Sequence, residues 1–382
     1  MLAAGLTSCR PVPGPTPLPT PIPSPTPELV PVEAPSPLTD DLARESLVAA
    51  IDRDLEAGDR IGTPDCPAPA VAQALRSLRE AAAKPETDLS AYVAARFEFR
   101  RSTGRADGAL FTGYYEPVLA ARRRPEAGFV YPLYRRPRDL LEIRLGEFDP
   151  AWVDVTIWGR VADGKLAPYY TRRQIDGDGA LTGRGLELAW LDDPVARYFL
   201  QVQGSGVLRW KDGSLAHVGF AGSNGKPYTS IGRVLADEGA LGPERATSPL
   251  IQAYLRAHPE RRNDLLFRNE RYVFFAEAAD GPVGRLGVKL TDGRSIAVDP
   301  AFYPLGWLAY VETTAPVVDP SGKATGTRPL RRLTLMQDSG AAITGPGRAD
   351  VFFGTGEPSG LEAGSMSERG ELYLLTPIEC RG

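Results

Sequence analysis

The chain has 382 residues, enough for two or three domains, and 42% of them are hydrophobic, enough to bury a sizeable core. The formal charge is −4 with both signs interspersed, and the lack of a sustained basic stripe excludes nucleic acid as a partner. No apolar run approaches the roughly 18–20 residues that a spanning helix needs, so no transmembrane helix is expected.

Residues 1–9 have the form of a truncated lipoprotein-type signal. Leu6-Thr7-Ser8-Cys9 is like a bacterial lipoprotein cleavage box, with Cys9 as the lipidation site. The stretch before it carries no Lys or Arg and is shorter than an ordinary signal, as a start placed too far downstream would leave it. The other reading leaves Cys9 unmodified in a tail. Residues 10–39 form a Pro-rich linker. Proline has no amide donor, so Pro11–Pro37 should form neither helix nor paired strand. An extended polyproline II spacer of about 3 Å per residue is expected, with a recognition segment for another protein as the competing reading.

Three amphipathic helices follow, over Asp41–Ala57 (Leu42, Leu47, Ile51, Leu55), Ala70–Ala83 (Val71, Leu75, Leu78) and Asp88–Arg101 (Leu89, Val93, Phe97). Their apolar spacing is near 3.6 and reads as core packing. From Gly108 the pattern changes to short strands and turns. Lys211-Asp212-Gly213 and Thr291-Asp292-Gly293 read as hairpin turns. Between them lie two helices, Ser230–Glu238 after a hydroxyl cap and another starting at Ser248-Pro249. Tyr272–Pro377 reads as strands.

Several chemistries lack their residues. The two histidines, His217 and His258, lie in unrelated contexts, against a nucleophile triad or a two-histidine metal motif. Three scattered cysteines make no zinc site. GSNGKPYTS fails as a phosphate loop, with Pro227 in the hydroxyl position and Phe220 in place of the first glycine. DGDGALTGRGLE fails as a calcium loop, with Leu181 in the glycine position. No metal and no cofactor is expected, so side chains must do the chemistry.

Two aspartates suit that task. Asp338 follows the strand-like Leu333–Gln337, and Asp350 precedes Val351-Phe352-Phe353. A carboxyl wedged among apolar residues is costly to ionise, and its raised pKa is what a general acid needs. On spacing alone they fit turn aspartates capping strand ends better than a catalytic pair.

The chain resembles the lytic murein transglycosylase A family. The matching residues are Asp299 in AVDPAFYPLGW, Asp338 in MQDSGAAI and Asp350 in RADVFFGTGEPSG, a three-aspartate domain. Upstream, FTGYYEPVL (Phe111–Leu119), YPLYRRP (Tyr131–Pro137), VQGSG (Val202–Gly206) and YTSIGRVL (Tyr228–Leu235) resemble it too, in the expected order.

The resemblance implies a mainly β fold with some α. A six-stranded double-psi β-barrel would take residues 40–115 and 266–382, with the N-terminal helices. A second β-rich domain would be inserted over 116–265, with a groove between the two. The implied activity is non-hydrolytic cleavage, exolytic or endolytic, of the β-1,4 bond between N-acetylmuramic acid and N-acetylglucosamine in peptidoglycan. It leaves a 1,6-anhydromuramyl end.

Asp350 would be acid and then base, and Asp338 would raise its pKa and favour the cationic transition state. Asp299 joins the groove set, although its turn-like context favours a structural role. Thr112, Tyr114, Tyr115 and Glu116 around Gly113, with Gln203, Gly204 and Ser205, would bind sugar. Half-buried strand aromatics and a strand-edge amide are the ordinary alternatives for the tyrosines and Gln203. Asn224 and Lys226 are weaker candidates, the lysine for lactyl or peptide carboxylates.

The implied setting is the periplasm of a Gram-negative bacterium, with a lipid anchor in the outer membrane. The protein would be a monomer, and cell-wall synthases or scaffold proteins are its possible partners. In an oxidising compartment Cys66 and Cys380 either pair or remain isolated thiols. Two other functions stay open. An inverting β-glycan hydrolase needs two carboxylates about 6.5–9.5 Å apart. A non-catalytic cell-wall-binding module needs none.

Overall fold

A computed structural model describes residues 29–103, 108–153, 155–242, 247–278, 281–319 and 323–380. Cys9 and the spacer up to residue 28 lie outside them. The first part of the chain runs β1 (Val30–Val32), α1 (Arg44–Leu55), α2 (Ala68–Ala82), α3 (Leu89–Arg96), β2 (Phe97–Arg101) and β3 (Ala109–Glu116). The middle runs β4 (Val118–Arg122), β5 (Tyr131–Tyr134), β6 (Leu141–Arg144), β7 (Thr156–Ala162), β8 (Lys165–Pro168), β9 (Glu187–Leu191), α4 (Pro194–Gln203), β10 (Ser205–Arg209) and β11 (Leu215–Ser223). Next come α5 (Ile231–Asp237), α6 (Ser248–Ala257), α7 (Pro259–Arg268) and β12 (Val273–Ala278). The last part is β13 (Ser295–Ala297), β14 (Leu308–Val318), β15 (Ala324–Asp338), β16 (Arg348–Thr355), α8 (Glu357–Ser365) and β17 (Ser367–Pro377).

The amphipathic stripes of α1, α2 and α3 bury Leu47, Ile51, Val71, Leu75, Leu78, Leu89 and Val93 in the main core. The third helix is shorter than its stripe suggested, because Phe97–Arg101 is a strand. Phe97 and Phe99 are buried at period two, and β17 supplies a partner across them, Phe99 facing Leu375. The spacer expectation is corrected at its end. Val30–Val32 pairs with Phe99–Arg101, and Pro31 is tolerated because β1 is an edge strand.

Six strands close a barrel in the order β17-β14-β15-β13-β16-β3, with β3 returning to β17. Ile296, Leu335 and Val351 are fully buried in its core. The fully buried Arg294 clamps the N-terminal segment to the barrel, donating to Asp40 at 2.6 Å and to the Leu333 carbonyl at 2.7 Å.

The middle of the chain builds a second sheet, β12-β11-β10-β4-β9-β5, and a small sheet, β6-β7-β8. The strand β12 was assigned to the barrel side of a boundary at residue 266, but it pairs with β11. Phe274 and Phe275 are fully buried there, in the packing of the middle region. Lys211-Asp212-Gly213 does join the antiparallel pair β10 and β11. Thr291-Asp292-Gly293 is a turn entering β13 rather than a hairpin, held by the Gly293 amide on the Phe352 carbonyl at 2.7 Å. The helices α4 and α8 interrupt stretches read as strand. Asp193-Pro194 is a capped start for α4, with the Asp193 carboxylate accepting from the Val195 amide.

Cys66 and Cys380 are disulfide-bonded across 314 residues of chain. Closing so long a loop removes much conformational freedom from the unfolded chain. Replacing both by serine should cost about 2–5 kcal/mol in chemical unfolding, and an unchanged midpoint would contradict the tie. Asp54 is fully buried, accepts from Gln337 Nε2 at 2.6 Å, and is pushed up to about 7 by burial. A carboxyl with a raised folded pKa stabilises least when ionised, so folding stability should fall as pH rises from about 4 through 7. Asp54→Asn should flatten that slope, by roughly 4 kcal/mol over the window, in unfolding measured against pH.

Candidate active site

Strand register places three polar residues in a row across the barrel. Thr112 on β3 faces Asp350 on β16, and Asp350 faces Ala297 on β13. From its other side Ala297 faces Asp338 at the end of β15. Directly paired residues share a face of the sheet, and the two aspartates are two strand spacings apart, about 10 Å between backbones. Between them the small, buried Ala297 packs with Tyr114 and Phe352. Tyr114, two residues beyond Thr112 on the same face, packs at a tilt against Phe352 with ring centroids 5.2 Å apart. Its buried hydroxyl faces both carboxylates without closing a well-formed hydrogen bond. Leu290, Ala297, Ile343 and Phe352 complete a dry floor around it.

Asp350 is half-buried: surrounded by protein, but with an edge open to a cleft of about 530 Å³. Burial pushes its pKa up to about 6. The Thr112 hydroxyl, which donates to Asp350 Oδ1 at 2.7 Å, and the Arg348 charge pull the other way, while the Asp338 charge adds to the rise. Burial also pushes Asp338 up to about 6, opposed by the Ser339 and Arg285 amides, which donate to its Oδ1 at 2.8 Å each. Tyr114 is held well above the ordinary phenol range by burial and by both aspartates, so it remains a donor. The arrangement supplies one protonatable carboxyl that lines the cleft and a second, equally half-buried carboxyl that lies outside the lining and is held by two backbone amides.

The cleft runs between the barrel with α8 on one side and the inserted region on the other. Of the residues anticipated, Thr112, Tyr114, Gln203 and Asp350 line it. The others do different work. Tyr115 has its ring against Gly360 of α8, where an added Cβ would lie 2.6 Å from it. The Tyr115 amide donates to Gln203 Oε1 at 3.0 Å. Glu116 is fully buried between His217 Nδ1 at 3.1 Å and the Thr355 hydroxyl at 2.8 Å, which ties the two sheets together.

Gly204 terminates α4 in the left-handed conformation, φ 84°, which favours glycine. Ser205 is buried at the start of β10. Asn224 spends its amide on the Tyr170 and Glu270 carbonyls and the Tyr272 amide. Lys226 lies away from the lining, with its carbonyl accepting from Arg271. Asp299 accepts from the Ala301 and Gly345 amides at 3.0 and 2.7 Å, pinning the loop before β16, and it is outside the cleft lining.

The structure also brings Gln201, Tyr228, Arg271 and Arg348 to the cleft. Period two along β16 would have put Arg348 on the face of Asp350. Tyr228 stands in the YTSIGRVL motif. Nothing local marks Gln201 or Arg271, whose positions depend on how α4 and the loop before β12 pack.

Comparison with known proteins fits this geometry. The MltA specific insert domain matches residues 110–276 and the 3D domain matches residues 294–376. A Vibrio cholerae protein named membrane-bound lytic murein transglycosylase A is 32% identical over 269 residues, 70% of this chain and 65% of that protein. The match thus spans less than two thirds of that relative's length. A crystal structure of a membrane-bound lytic murein transglycosylase from Agrobacterium tumefaciens is 30% identical, with a TM-score of 0.72, covering 89% of this chain and 95% of that one. An Escherichia coli MltA structure with bound chitohexaose is 25% identical, with a TM-score of 0.72, covering 92% and 95%. The insert, the barrel with its row of aspartates, and a relative matched over nearly its whole chain lead to one conclusion: this chain belongs to the membrane-bound lytic murein transglycosylase A family.

Proposed function

We propose that the protein cleaves the β-1,4 bond between N-acetylmuramic acid and N-acetylglucosamine in peptidoglycan without water, leaving a 1,6-anhydromuramyl end. The observation that carries this reading is the asymmetry of the two aspartates. Asp350 opens to the cleft with a pKa of about 6, whereas Asp338 lies outside its lining and is held by two backbone amides. One carboxyl facing the bond is enough when the nucleophile belongs to the substrate.

Asp350 gives its proton to the glycosidic oxygen as the bond to the muramyl C1 breaks. The muramyl C6 hydroxyl then attacks C1 and returns its proton to Asp350. Atoms balance with no water consumed, and the acid is regenerated. An intramolecular hydroxyl reacts at a large effective concentration, so no second base is needed. Asp338, when ionised, favours the positive sugar ring, and Thr112 orients the Asp350 carboxyl. Thr112 and Gln203 offer polar contacts to sugar substituents, with Tyr114 beneath them. The chitohexaose-bound Escherichia coli relative supports a glycan in this cleft.

Lipidation of Cys9, with the Pro-rich segment as spacer, would hold this body beside peptidoglycan at the periplasmic face of the outer membrane. Among the described residues no helix is long and apolar enough to cross a membrane, and the relatives are named membrane-bound.

Asp350→Asn should slow release of soluble fragments from purified murein at least about 100-fold, the scale of a lost general acid. Activity of the native protein should decline as pH rises through about 6, because the first step needs the protonated acid. Thr112→Val removes a donor to the ionised form, so it should move that limb upward. An active Asp350→Asn protein would remove Asp350 from the reaction.

A further inference from the structure

The charges of the cleft wall are unequally committed. Arg172 is fully engaged: it pairs with Asp176 at 3.7 Å and donates to the Asn269 and Arg271 carbonyls. Arg348 lies beside Asp350 and pulls its pKa down. Arg271 differs. Its guanidinium donates to the Lys226 carbonyl at 3.3 Å, and among the described residues no carboxylate pairs with it. Burial alone lowers its pKa.

A guanidinium has five N–H donors in a planar fork and stays charged in proteins. Partly desolvating it without an acid is costly unless a ligand supplies the acid. The backbone beneath it is also fixed in advance. Arg172 holds its carbonyl, and Asn269 Oδ1 accepts from its amide at 3.3 Å. Asn269 is itself held through Nδ2 on the Tyr198 hydroxyl at 3.0 Å. A pinned, partly dry and unpaired cation on the wall of a glycan cleft is built to receive an anion.

We propose that Arg271 binds a carboxylate carried by the 3-O substituent of a muramyl residue, and so selects murein over neutral N-acetylglucosamine polymers. The carboxylate is that of the lactyl group or of the peptide stem. This rests on the glycan-cleft reading above. Lys226, the basic residue singled out in sequence, contributes its carbonyl to holding Arg271.

The test is binding by calorimetry with the full chain carrying Asp350→Asn, against three probes. Chitohexaose has no carboxylate, amidase-stripped murein strands keep the lactyl carboxylate, and muropeptide oligomers carry the peptide. Adding Arg271→Gln should weaken binding of a carboxylate-bearing probe about 10-fold or more while chitohexaose stays within about twofold, and Arg271→Lys should recover part of the loss. The loss should shrink at high salt. Loss on stripped strands assigns the lactyl group; loss on muropeptides alone assigns the stem. Equal change on all three probes, or none, overturns the proposal. Failure of the Asp350→Asn parent to bind any probe would instead overturn the glycan-cleft reading, and this proposal with it.

Discussion

The pairing of β3 with both β16 and β17 is the constraint on which the rest depends. It closes the barrel, and one residue, Thr112, stands opposite Asp350 on one side and Ser367 on the other. Closure removes the free strand edges of the ring and fixes register, because a slip by one residue would turn Thr112 and Tyr114 to the opposite face. The same strand runs straight into the inserted region through Pro117, so the floor of the cleft and its far wall share one continuous piece of chain. Its last residue, Glu116, is bonded on one side to Thr355 of the barrel and on the other to His217 of the second sheet.

Desolvation then divides the labour between two chemically identical side chains. Both aspartates are pushed up to about 6 mainly by burial. What separates them is what opposes the burial. Asp338 has fixed backbone donors, which hold its carboxylate in place. Asp350 has a rotatable hydroxyl and the Arg348 charge, and it lines the cleft.

The barrel side was largely legible in the sequence. The apolar stripes of α1 and α2, the strand runs around Asp338 and Asp350, and the order of the motifs each carry local signals. What escaped the sequence depended on partners. Phe97 fits a helical stripe and a strand alternation equally, and the sheet edge offered by β17 decided for the strand. Glu116 and Asn224 looked like groove residues because polar groups in glycine-rich surroundings often bind ligands. Each proved to be buried and saturated by groups remote in sequence, which only the fold could bring together. Arg271 shows the converse, a cleft residue whose proposed role comes from the lack of an acidic partner among the described residues.

The central claim is that one cleft-facing carboxyl acts with a nucleophile from the sugar itself. The measurement that tests it most directly is mass spectrometry of the fragments released from purified murein by the native protein. The account predicts muropeptide ends lighter than the hydrated form by the mass of one water, without reducing ends. Hydrated, reducing ends would contradict it. They would mean that water attacks, and that a second carboxylate reaches the cleft.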